Sequence, residues 1–108
     1  MSYFNFLLTY STSPHRDNDI DIRIADKLRK KLAEINEKDW RKLDEVETTY
    51  IGKVDLKSAG VDNKRNEAEK IIKDIFREKI DENDAYNYTW VNIALMVNGL
   101  GEHIEVCI

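Results

Sequence analysis

At 108 residues the chain has the length of one domain, because a second hydrophobic core would have too little apolar material to fill, and a single domain over 1–108 is expected. Its 42% apolar and 35% charged content argues against extended disorder and for a well-solvated globular surface. Seventeen basic against twenty-one acidic residues give a formal charge of -4, which repels a phosphate backbone at long range, disfavours general nucleic-acid binding and favours a cationic protein partner.

The first predicted element is a strand. Phe4, Phe6, Leu8 and Tyr10 alternate with Tyr3, Asn5, Leu7 and Thr9, so one face carries a large apolar row and the other a mixed row. Ser11 to Asp19 holds the only proline, Pro14, among Ser, Thr, Asp and Asn, and reads as a loop. Ile24, Leu28, Leu32 and Ile35 then recur at helical spacing, with Asp19 or Asp21 as the expected N-cap. Basic residues gather around this helix and just after it, between Arg23 and Lys42.

Trp40 to Val54 is aromatic and β-branched strand material, but its parity is uneven. Tyr50 and Val54 fall on one side and Ile51 on the other, so one bent strand and two short strands joined near Glu45 to Glu47 both fit. Lys57-Ser58-Ala59-Gly60 is a break. Ala68, Ile71, Ile72, Ile75, Phe76 and Ile80 mark a second helix, with Asp62 or Asn63 as its expected cap. After a polar loop from Asp81 to Asn87, Thr89, Val91, Ile93, Leu95 and Val97 alternate with Trp90, Asn92, Ala94, Met96 and Asn98 in a long strand. Asn98-Gly99-Leu100-Gly101 signals a tight turn, and Ile104, Val106 and Ile108 make a returning strand. The predicted fold is therefore α+β, with a C-terminal β-hairpin.

A single cysteine, Cys107, can form no intramolecular disulfide and sets no zinc-ligand spacing, which fits a reducing compartment such as the cytoplasm. No run reaches the roughly 20 apolar residues of a membrane helix, and the first residues lack a signal-peptide pattern, so no membrane association is expected.

The order of elements, with Phe6-Leu7-Leu8-Thr9-Tyr10, a helix, Trp40 followed by Thr48-Thr49-Tyr50-Ile51, a second helix and a terminal strand pair, resembles the small ferredoxin-like proteins related to the CRISPR adaptation nuclease and to the GhoS-type endoribonuclease antitoxin. The resemblance implies a ferredoxin-like antiparallel sheet with both helices on one face, and frequently a dimer. In the nuclease family an aspartate follows the first-strand tyrosine and supports a metal. Here Tyr10 is followed by Ser11, and a hydroxyl does not replace the anionic oxygen that Mg²⁺ favours.

Other constellations are weaker still. Asp17, Asp19 and Asp21 imitate the start of a calcium loop, but Ile22 and Leu28 occupy the positions that need glycine and glutamate. Capping and solvation account for these aspartates better. His15, near Asp17 and two serines, could act as an acid or base on RNA, yet such a histidine is more commonly just exposed. His103, Glu105 and Cys107 share the solvent side of the last strand. No phosphate loop, metal set or cofactor motif is present, and no cofactor is expected.

The uncovered sheet face carries the functional expectation. If helices cover the row of Phe4, Phe6 and Leu8 with that of Val91, Ile93 and Leu95, the other face presents Tyr3, Asn5, Leu7, Thr9, Trp90, Asn92, Ala94 and Met96, an apolar and aromatic patch of the kind found at interfaces. A non-catalytic protein-binding module of antitoxin, immunity or nuclease-inhibitor type follows. Its partner-binding residues would be Tyr3, Asn5, Leu7, Trp90, Asn92 and Met96 on the face, with Glu102 and Glu105 in the acidic C-terminal region. The partner would be a basic toxin or nuclease, and the competing ways to cover the face are the C-terminal hairpin and a homodimer. The alternative is a metal- or His15-assisted endoribonuclease, the one reading in which RNA is a ligand.

Overall fold

The computed structural model describes residues 2–108. Five strands and two helices follow one another as β1 (Tyr3–Pro14), α1 (Asp19–Leu32), β2 (Trp40–Lys42), β3 (Thr49–Asp55), α2 (Val61–Glu82), β4 (Thr89–Val97) and β5 (Ile104–Cys107). The strands form one open sheet in the order β2-β3-β1-β4-β5, with each neighbouring pair antiparallel. The fold is thus α+β, and β1 is the central strand.

Alternation of side chains settles which face is covered. In β4, Thr89, Val91, Ile93, Leu95 and Val97 are buried while Trp90, Asn92, Ala94 and Met96 are exposed, as expected of a sheet with helices on one side only. The even row of β1 faces those helices. Tyr10 donates its hydroxyl to the Arg29 carbonyl of α1 at 3.1 Å and meets Phe76 of α2 edge-on, with centroids 5.6 Å apart. Leu28 and Leu32 of α1 and Ala68, Ile72, Phe76 and Ile80 of α2 complete the core against Phe6, Leu8, Tyr50 and Leu95. The spacing of four in α2 keeps those residues on one stripe over its length.

Several boundaries differ from the sequence expectation. The stretch from Ser11 to Pro14 is strand, not loop: Ser11, Thr12, Ser13 and Pro14 pair with Asn92, Val91, Trp90 and Thr89. Proline is tolerated there because β3 has already ended beside Thr9, leaving that flank of β1 without a strand that needs its N–H. Trp40 to Val54 resolves into two strands, β2 and β3, of which β2 is the sheet edge. Neither Asp19 nor Asp21 caps α1; Asn18 does, accepting the Asp21 N–H at 2.8 Å. Gly60, whose φ of 85° suits glycine, is the N-cap residue before α2, and neither Asp62 nor Asn63 supplies a side-chain cap. Ile35 lies past the end of α1 and packs on the core from the following loop. No helix among the described residues is long and apolar enough to cross a membrane.

Candidate functional site: the open sheet face

The register of the sheet assembles the uncovered face row by row. Leu7 of β1 lies opposite both Ile51 of β3 and Met96 of β4, and Ile51 lies opposite Arg41 of β2. Directly opposed side chains sit about 5 Å apart, so Ile51, Leu7 and Met96 form one apolar bar across three strands, ending on a guanidinium. Polar rows flank it. Asn5 faces Lys53 on one side; on the other, Thr9 faces Ala94, which faces Glu105, and Ser11 faces Asn92, which faces Cys107.

Four large hydrophobic residues here are about half exposed: Tyr3 at 54%, Leu7 at 43%, Trp90 at 53% and Met96 at 49%. On the covered face, by contrast, Leu8 and Leu95 are wholly enclosed. Such residues gain stability by being removed from water, and among the described residues Leu7, Trp90 and Met96 keep about half of their surface open to it.

The residues picked out from the sequence do not all meet. Leu7 and Met96 are neighbours, with Asn5 one row away opposite Lys53. Trp90 lies near the far end of the layer beside Ser13, and Tyr3 at the near end beside Asp55. Ten residues of extended chain separate Tyr3 from Ser13, a span of roughly 33 Å. A small molecule does not bridge that distance, whereas a protein surface can. Glu105 belongs to the face opposite Ala94, while Glu102 lies in the turn before β5, where its carbonyl accepts from Arg65.

Sequence reasoning left Ile51 out of the site, although its parity opposite to Tyr50 and Val54 was the available signal. It also missed His15 as a neighbour of Trp90: the two rings lie 3.9 Å apart at a tilt of 42°. This contact was not legible while Ser11 to Pro14 read as loop. A depression of about 550 Å³ opens at the β2 end of the layer between Asn5, Trp40, Arg41, Ile51 and Lys53.

The aspartates of the Pro14 to Asp21 connection do other work. Asp21 is buried and accepts from the Arg16 backbone N–H at 3.0 Å, from Nε at 2.9 Å and from Nη2 at 3.3 Å. The hydrogen bond from Arg16 holds its carboxyl below the usual carboxylate range. Asp17 and Asp19 are exposed. Among the described residues, no group of three or more His, Cys, Asp or Glu is placed to hold a metal ion. Cys107 is an exposed free thiol on the open face.

No family model, no curated protein and no solved structure matches this chain, so the family resemblance stands on its short motifs alone.

Proposed function

We propose that this protein is a non-catalytic binding module that docks a cationic protein partner on its open sheet face, in the manner of an antitoxin, immunity protein or nuclease inhibitor. The observation that carries this reading is the apolar bar of Ile51, Leu7 and Met96 on a face left uncovered while both helices pack on the other side. The order β2-β3-β1-β4, with a helix after β1 and another after β3, supports a ferredoxin-like arrangement extended by β5. In such a layer one side is structural and the other is free for recognition. The formal charge of -4 would speed encounter with a basic partner, an effect that weakens as salt rises.

RNA cleavage is the second reading and has less support. Of its candidate groups, Asp21 is bound by Arg16 and His15 packs on Trp90, while Asp17 and Asp19 are exposed and, among the described residues, belong to no group of three or more His, Cys, Asp or Glu placed to hold a metal ion.

The test pairs Leu7→Lys with Met96→Lys, which places two charges in the centre of the bar without touching the core. A partner captured by the native chain, purified and titrated back should bind the double variant at least about tenfold more weakly, the loss typical of a truncated hot spot. Added salt should slow association with the native chain. Two results would overturn the proposal: sedimentation showing that the native chain covers this face with a second copy, which the double variant disperses, or RNA cleavage abolished by Asp17→Ala or His15→Ala.

A further inference from the structure

Strand β5 is last in the sheet order, and the register tells which of its backbone groups are left over. Val91 and Ile108 exchange hydrogen bonds in both directions, at 3.2 and 2.9 Å. In an antiparallel ladder such bonded pairs alternate with non-bonded ones, so the pairs Asn92 with Cys107 and Ala94 with Glu105 are non-bonded. The N–H and C=O groups of Glu105 and Cys107 therefore point away from β4, along an edge with no strand beside it among the described residues.

The two edges of the sheet differ in charge. Edge strand β2 carries Arg41 and Lys42, the sort of cationic guard that discourages strand addition. Edge strand β5 carries Glu105, and Glu102 precedes it. Among the described residues neither carboxylate pairs with a Lys or Arg; the imidazole of His103 lies 3.7 Å from Glu105. Arg65, which reaches this turn from α2, is spent on the carbonyls of Leu100, Glu102 and His103. From Asp81 to the last residue there is no lysine or arginine.

We infer that the β5 edge accepts an extended cationic segment of a protein partner as a sixth strand. Main-chain bonds to Glu105 and Cys107 would hold the segment, and its side chains would alternate. Lysine or arginine would lie beside Glu105 on the open face, and apolar residues beside Ile104 and Val106, which turn toward the helices. The three Arg65 bonds fix the turn to α2 beforehand, so little order remains to be imposed on binding. This inference rests on the protein-binding reading for the class of occupant, but on the edge and not on the apolar bar for its site.

The probe is an acetylated, amidated peptide of alternating lysine and valine, titrated into the ¹⁵N-labelled full chain and followed by amide shifts and hydrogen exchange. Shifts should centre on Ile104 to Ile108, and exchange at the Glu105 and Cys107 amides should slow. Replacing lysine by glutamate in the peptide, or Glu105→Lys in the protein, should each weaken binding at least about tenfold, as expected when a charge pair becomes a like-charge clash. N-methylation of alternate peptide amides, which keeps the charge but removes the ladder, should do the same. Glu105→Gln, milder in an exposed strand position, should fall between native and Glu105→Lys. Equal binding of the N-methylated peptide, shifts centred elsewhere, or no binding at millimolar peptide would overturn the inference. The Leu7→Lys, Met96→Lys variant should keep the peptide, so a failure at the edge is distinguishable from a failure of the open face.

Discussion

Tyr50 joins two elements through one hydroxyl. It donates to the Leu32 carbonyl at 2.6 Å and accepts the Ile35 N–H at 3.2 Å, at the point where α1 ends and its last carbonyls lose their intrahelical partners. A strand residue thus terminates a helix. Tyr50 is buried, so Tyr50→Phe keeps the ring packing against Trp40, 5.5 Å away, and leaves two backbone groups unsatisfied. The expected loss is about 1–3 kcal/mol, read as a lower urea midpoint with an unchanged slope. A midpoint equal to that of the native protein would mean that water replaces the hydroxyl. An aromatic strand residue was legible from the sequence at this position; its role as a helix stop was not, because that depends on a contact across 18 residues.

At the scale of elements, legibility followed periodicity. Strand β4 and helix α2 were readable because each keeps its own period over its whole length, so every side chain repeats the same statement about burial. The open face was readable for the same reason. Composition misled at Ser11 to Pro14, where turn-forming residues are held extended by pairing with β4, and at the caps, where Arg16 had already claimed Asp21. The charge contrast between the two sheet edges required the strand order, which no local pattern contains. Edge strand β2 also shows how a short element depends on one residue. A Cβ at Gly52 would lie 2.4 Å from the Asp39 carbonyl oxygen and 2.9 Å from the Phe6 ring. That carbonyl receives the Lys53 N–H at 3.2 Å, from an Asp39 backbone at φ 67°. Gly52→Ala should therefore displace β2 and cost about 1–3 kcal/mol through overpacking. Trp40 packs edge-on against Phe6 with centroids 5.0 Å apart, so in a Trp90→Phe background its fluorescence should shift to the red. An unshifted spectrum would show that the edge absorbs the methyl.

For the molecule as a whole, the ionisable groups set the limits of stability at both ends of the pH scale. Asp21, Asp26 and Glu67 are each held below the ordinary carboxylate range, Asp21 by its hydrogen bond from Arg16, Asp26 by that from Arg29, and Glu67 by the Ser58 backbone N–H. Unfolded, such groups titrate near about 4. The unfolded chain therefore binds more protons as pH falls through this range, so the contribution of these carboxylates, complete above about pH 5, is lost as pH drops through their folded values. The tyrosines act in the opposite sense. Burial pushes the Tyr10 and Tyr50 phenols above their usual value of about 10, so their contribution is complete below that pH and lost as pH rises through the folded values. Melting temperature should then form a plateau between about pH 6 and 9 and fall on both sides. The limbs have separate owners. Asp21→Asn should melt below the native chain at pH 7, with the gap closing toward pH 2, because protonation makes the native carboxyl resemble the amide. Tyr50→Phe should instead converge on the native curve as pH rises above about 10, where the phenol ionises in the unfolded chain while burial resists its ionisation in the folded one. Curves for either variant that run parallel to the native one across the whole range would show that these groups do not bound the plateau.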